Sequence, residues 1–573
     1  MHDLVIRGGT IVDGTGEPAR SGDVAVDGGT ITEVGGTAGA ARREIDADGC
    51  VVAPGWVDIH THYDGQVTWD PYLSPSCWHG ITTVVMGNCG VGFAPAKPER
   101  HDWLIGLMEG VEDIPGTALA EGIRWEWESF PEYLDALERM PRALDVGTQV
   151  PHGAVRAYVM GERGAKNAPP TPEDIAAMGV IVRDGIRAGA LGFSTSRTML
   201  HRAIDGEPVP GTYAPEDEVL GIGRAMAEAG QGVFEMASDL TPEVSELAWM
   251  ERLSRESGRP VTFALLQNDF DPQQWKRLLE ATERANANGA KLIGQVSARP
   301  TGLLLGFDGT VHPFKCHRTY KELAHLPIAE RVARLRDPAV RARLLGETDV
   351  PFDDPFTQFI CTMWSKIFSL GDPLNYEPSR DESLAARAAR AGCSPETLAL
   401  DALLEREGRG LLYLPLLNYA DFDFGPIHTM LTHPHTVLSL SDGGAHCGVI
   451  CDAGTPTLLL THWVRGRTRG PRLPLEFAVR RQTFETASLY GLHDRGRLAP
   501  GFKADVNVID LDALRLHQPE MVFDLPAGGR RLVQRADGYR QTIKDGQVTF
   551  ENGEPTGALP GALLRGPQAA PAA

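Results

Sequence analysis

Between Pro54 and Leu440 the chain repeatedly places a short run rich in β-branched residues before a longer stretch of helical periodicity. Few folds accept that alternation, because each run must be buried as a strand and each following stretch must cover it as a helix. The runs are Val57-Asp58-Ile59, Val84 to Met86, Val146 to Val150, Ala190 to Phe193, Gly232 to Phe234, Pro260 to Phe263, Leu292 to Val296 and Val437 to Leu440. Helices are predicted over Thr171 to Ala188, Pro215 to Ala229 and Pro272 to Ala287. Repeated β/α units over this length predict an α/β protein built on a (β/α)8 TIM barrel with insertions. A doubly wound open sheet is the alternative, but no glycine-rich nucleotide loop is visible.

The two ends read differently. Leu4-Val5-Ile6, Thr10-Ile11-Val12, Val24-Ala25-Val26 and Thr30-Ile31-Thr32 are short strands set off by Gly8-Gly9, Asp13-Gly14 and Asp27-Gly28-Gly29. The style returns at Ala504 to Ile509, Tyr539 to Ile543 and Gln547 to Phe550, with Lys544-Asp545-Gly546 as a turn. One small β domain assembled from residues 1–53 and 487–559 is expected, around a barrel of residues 54–486. Residues of about 305–415 interrupt the barrel between its seventh and eighth strands and are expected to wall or cover the site. The end of the chain, 560–573, is rich in Pro, Ala and Gly and is expected to be mobile.

A formal net charge of -21 over 573 residues repels nucleic acid and anionic membranes, so neither is an expected partner, whereas a small-molecule substrate is compatible with it. No run is long and apolar enough for a membrane span, and the N-terminus lacks a basic stretch followed by an apolar core. The 8 cysteines include no CxxC pair. A cytoplasmic protein with reduced thiols is expected; whether it forms a homo-oligomer is open.

Chemistry enters at Pro54-Gly55-Trp56-Val57-Asp58-Ile59-His60-Thr61-His62. Residues i and i+2 of a strand share a face, so His60 and His62 can reach one metal ion, and neutral imidazole suits zinc and similar cations. Far along the chain, Asp442 closes the last predicted strand in Ser439-Leu440-Ser441-Asp442-Gly443-Gly444. It reads either as a turn aspartate or as a metal ligand that takes a proton from water.

Together with Gly496-Arg497-Leu498-Ala499-Pro500-Gly501-Phe502-Lys503-Ala504-Asp505-Val506, these residues resemble the amidohydrolase superfamily, and within it the D-aminoacylase (N-acyl-D-amino-acid deacylase) group. Gly80-Ile81-Thr82-Thr83-Val84-Val85-Met86-Gly87-Asn88-Cys89-Gly90 is similar to that group's second-strand motif, which implies Cys89 as a metal ligand. His152-Gly153, with Arg156 and Met160-Gly161, resembles the third-strand motif, and Gly192-Phe193-Ser194-Thr195 the fourth. The resemblance implies a β-sandwich from both chain ends and a barrel holding one or two zinc ions. It also implies amide hydrolysis by activated water, with Asp442 carrying the proton, His152 helping to polarise the carbonyl and Ser194 near the substrate.

Two departures stand out. The family's fifth- and sixth-strand histidines are missing: Glu235 stands in Gly232-Val233-Phe234-Glu235 and can itself be a ligand or a carboxylate beside the ligands, whereas Leu265 cannot bind metal. The arginine expected to hold the substrate carboxylate after the last strand is also absent from Gly448 to Thr455; Arg197 and Arg299, each just after a predicted strand, are the substitutes. Hydrolysis of cyclic amides, carbamates or lactones therefore stays open, as does a catalytically silent barrel.

Overall fold

Each apolar run of the middle region is a strand, and each strand pairs in parallel with the next one in sequence. The computed structural model describes residues 1–348 and 350–572. The strands are β1 (Trp56–Asp58), β2 (Ile81–Met86), β3 (Asp145–Pro151), β4 (Gly192–Arg197), β5 (Val233–Ser238), β6 (Val261–Ala264), β7 (Leu292–Val296) and β8 (Thr436–Leu438). Nearly all their residues are buried, as helices on the outside and side chains within require. Beyond β1 and β8 the two edges meet: Asp442 N donates to His60 O at 3.2 Å and His62 N to Gly443 O at 2.8 Å. The result is a mixed α/β fold with a TIM-like parallel sheet.

The expected helices form at Pro172–Ala188, Glu216–Ala229 and Gln274–Ala287. The first starts on a capping box in which Thr171 and Asp174 satisfy each other's backbone N–H groups. Among the described residues no helix is long and apolar enough to cross a membrane, and no cysteine forms a disulfide.

Both chain ends share a second, 9-stranded sheet, joined where Val51–Pro54 runs antiparallel to Val506–Ile509. Asp27-Gly28-Gly29-Thr30 and Lys544-Asp545-Gly546-Gln547 are two-residue hairpins whose central residues all have positive φ. The two strands expected on either side of Gly8 are one, His2–Ile11: Gly8, at φ 68°, makes a bulge instead of a turn, and both halves pair with Arg20–Asp27.

A buried charge cluster fastens this sheet to the start of β3. Lys544 Nζ lies 3.1 Å from Asp145, 3.0 Å from Asp505 and 2.9 Å from Asp545, and Arg495 also bonds Asp145. Removing one partner strands the others in a dry interior. Lys544→Met is therefore expected to destabilise the protein by about 3–5 kcal/mol, measured by urea unfolding.

The interruption between β7 and β8 has a core of its own, including Phe307, Phe314, Leu335 and Leu403. Its neck is a short antiparallel sheet of Gly302–Leu305, Leu412–Pro415 and Phe368–Ser369. The segment from 560, expected to be mobile, is instead docked. Val146 N donates to Ala562 O and Leu564 N to Val146 O, while Gly566 and Gln568 bond Gly189 and Gly491. Those backbone bonds, together with the Arg565 pairs to Asp135 and Glu138, outweigh a composition that favours disorder.

Candidate metal centre

A parallel sheet gathers the carboxyl ends of all its strands at one face. His60 and His62 follow β1, Cys89 follows β2, Asp442 follows β8, and Glu235 lies within β5. His60 Nε2 is 3.4 Å from Cys89 Sγ and 3.5 Å from Asp442 Oδ1, and His62 Nε2 is 3.9 Å from the same oxygen. One donor atom each of His60, His62 and Cys89 lies within 4.8 Å of the other two. Glu235 Oε2 accepts from Cys89 N at 3.0 Å, and its Oε1 sits 3.8 Å from His60 Nδ1.

Neighbours set the ring of His60. Gln295 donates through Nε2 to Thr262 Oγ1, so its Oε1 faces His60 Nδ1, 2.8 Å away, and accepts a hydrogen bond from the Nδ1–H. Nε2 is left as the lone pair facing Cys89 and Asp442. The Cys89 loop is pinned by Ser194, whose Oγ accepts from Gly90 N at 3.0 Å and donates to Gly87 O, and by Asn88, which donates to Thr61 O and Val85 O. Cys89 and Asp442 both have left-handed backbone, φ 55° and 48°.

Burial dominates the electrostatics. It lowers the pKa of His60 to about 4 and holds that of His62 well below its ordinary value, so both imidazoles are neutral, the form that binds metals. Burial first, then Glu235, Glu112, Asp442 and Asp64, raises the Cys89 thiol. Burial raises Glu235 to about 8, with Asp442 adding and the Cys89 N–H opposing. Asp442 is raised by burial, Asp452 and Asp58. So much acidity in a dry pocket is unfavourable without a cation. Glu235 Oε1 is moreover buried with no hydrogen-bond partner. Nitrogen, sulfur and carboxylate donors in this arrangement fit a zinc-like ion.

Other expected site residues lie elsewhere or are already engaged. His152 is fully buried, with Nδ1 2.8 Å from Thr195 Oγ1 and Nε2 2.9 Å from Glu218 Oε1, so neither nitrogen is free to polarise a carbonyl. Ser194 spends its hydroxyl on the Cys89 loop. Arg197 is held by Glu246 at 2.8 Å and by Ala214 O, over the face of Trp249. Arg299 is buried against Asp452 and Cys451 O and stacked on Tyr376. Leu265 is buried and offers no donor.

Two residues not singled out in the sequence adjoin the centre. Glu112 ends the helix α1 (His101–Glu112), in the long connection between β2 and β3, and lies 3.2 Å from His62 Nδ1. His446, on the loop after Asp442, lies 3.6 Å from Glu112 Oε2. The available signal was spacing: Leu104, Met108 and Glu112 fall on one helical face, which puts a carboxylate in an apolar stripe.

A model of the amidohydrolase family matches residues 43–550. An N-acyl-D-aspartate deacylase of Alcaligenes xylosoxydans xylosoxydans is 28% identical over 98% of this chain and 95% of its own. Two solved structures share the fold, each 24% identical. A D-aminoacylase with a binuclear metal centre has a TM-score of 0.66 over 99% of this chain and 100% of its own. The N-acyl-D-glutamate deacylase of Bordetella bronchiseptica, complexed with zinc and a phosphonate inhibitor, has a TM-score of 0.63 over 98% of this chain and 99% of its own.

Proposed function

The chain belongs to the amidohydrolase family, and from that premise we propose that it is a metal-dependent hydrolase that cleaves the amide C–N bond of an N-acyl-D-amino acid or a related small amide. The observation that carries this reading is the convergence of His60, His62, Cys89 and Asp442 from segments up to some 380 residues apart. His60, His62, Cys89, Glu235 and Asp442 would hold one or two divalent cations, zinc by the chemistry of the donors. When bound, such a cation polarises the amide carbonyl and acidifies water at neutral pH. On this reading residues 54–486 are a complete (β/α)8 barrel, and the two chain ends, 1–53 and 487–559, a β-sandwich.

The protein's own groups have distinct tasks. The side chain of Asp442 is 14% exposed, against 2% for each histidine, so its carboxylate faces the open side of the centre. There it accepts the proton of the attacking water and returns it to the leaving nitrogen. Gln295 and the Cys89–Glu235 bond hold the ligands so that no reorganisation is needed during turnover.

A second reading, hydrolysis of cyclic amides, carbamates or lactones, is favoured by one observation: Arg197 and Arg299 are both occupied by internal carboxylates. A substrate screen separates the two. The full-length protein with bound zinc is expected to release free amine from N-acyl-D-amino acids and not from their L-enantiomers. Turnover of cyclic imides or lactones alone would replace the first reading with the second. Lack of bound metal in chelator-free preparations, with no turnover, would leave a silent barrel.

A further inference from the structure

The geometry points to Glu112 as the residue that positions His62 for cation binding and ties it to the loop carrying Asp442. This rests on His60, His62 and Cys89 being cation ligands. Both rings present Nε2 to the centre. His60 has its Nδ1 side held by the neutral oxygen of Gln295 at 2.8 Å. On the matching side of His62 stands a carboxylate, Glu112 Oε1, at 3.2 Å, an ion-pair distance; His62 Nδ1 has no hydrogen-bond partner among the described residues, so Glu112 is the acceptor within reach of its N–H. A carboxylate behind a ligating imidazole fixes its tautomer and strengthens its lone pair.

The second oxygen of Glu112 reaches His446 Nε2 at 3.6 Å, on the loop that starts at Asp442. The next residue acts on the same loop. Asp113, at φ 50°, caps the helix just after Glu112, and its carboxylate accepts from Gly448 N at 3.1 Å and from Thr310 Oγ1. Glu112 is 1% exposed, and its Oε2 has no hydrogen-bond partner among the described residues. A carboxylate in that setting is a poor structural element. Its position between two imidazoles, one of them His62, gives it a role once the cation is present.

Removing the charge should therefore weaken cation binding without a matching loss of metal-free stability. The test titrates metal-free wild type, Glu112→Gln, His62→Ala and the double variant with Co²⁺ against a competing chelator, and records the melting temperature of each metal-free protein. Glu112→Gln is expected to weaken Co²⁺ binding about 10- to 100-fold without lowering the metal-free melting temperature. Its effect should vanish in the His62→Ala background, because the two act as one unit. Glu112→Asp, which keeps the charge but withdraws it, should fall between. Wild-type affinity in Glu112→Gln, or an undiminished effect in the His62→Ala background, overturns the proposal. Should Glu112→Gln fail to fold, wild-type affinity in Glu112→Asp does the same. Unchanged affinity in both His60→Ala and His62→Ala would instead remove the centre itself, and the proposal with it.

Discussion

Asp442→Asn is expected to lower turnover about 10²- to 10⁴-fold while leaving the protein folded. The backbone at 442 is left-handed, a conformation that asparagine tolerates about as well as aspartate. The Asp442 N–H bond to His60 O is a main-chain bond and survives the exchange. What goes is the ability to accept a proton from water and give it back to the leaving nitrogen. The metal-free melting temperature should not fall, since the carboxyl lost is one whose ionisation burial opposes. Rates on a substrate found by the screen, with circular dichroism as the folding control, check this. Near-wild-type turnover in a well-folded Asp442→Asn would rule out its role in proton transfer.

His60→Ala should do more than slow the reaction: activity and bound zinc are expected to disappear together. Its Nε2 is the donor nearest to both Cys89 and Asp442. The effect extends to stability, because the main chains of residues 60–62 and 442–443 close the sheet where its first and last strands meet. A cation held from both sides of that seam stabilises the folded state by RT ln(1 + [L]/Kd), about 2.7 kcal/mol at a hundredfold excess over Kd. Added zinc should raise the melting temperature of wild type, chelator should reverse the rise, and His60→Ala should respond to neither. Elemental analysis with thermal melts measures both halves. A zinc-dependent rise retained by His60→Ala would show that the cation binds elsewhere.

The strands were legible because parallel strands buried on both faces read as unbroken apolar runs, whatever surrounds them. His60 and His62 were legible from a two-residue spacing at the end of one such run, although the strand itself stops at Asp58. The family resemblance supplied Cys89. Partnerships across the fold were not legible. Nothing near Arg197 or Arg299 in sequence announces Glu246 or Asp452, and nothing beside His152 announces Glu218, 66 residues away. From sequence the two arginines read as substitutes for a carboxylate-binding arginine, and His152 as an aid in polarising the carbonyl. Glu112 was hidden for the same reason, since its helix occupies an irregular connection whose docking the local pattern does not encode. The terminal segment misled in the other direction: Pro, Ala and Gly suggest disorder, but its backbone found carbonyl and amide partners at β3 and the neighbouring connections.

The left-handed backbone at Cys89 and Asp442 carries a consequence for any attempt to improve this protein. Side chains resist that conformation by roughly 1–2 kcal/mol, and glycine does not. A mutant library ranked by heat resistance in the presence of chelator would drift towards glycine at both codons and return sturdy, inert proteins. Screening for hydrolysis at each round is what keeps the thiol and the carboxylate in place.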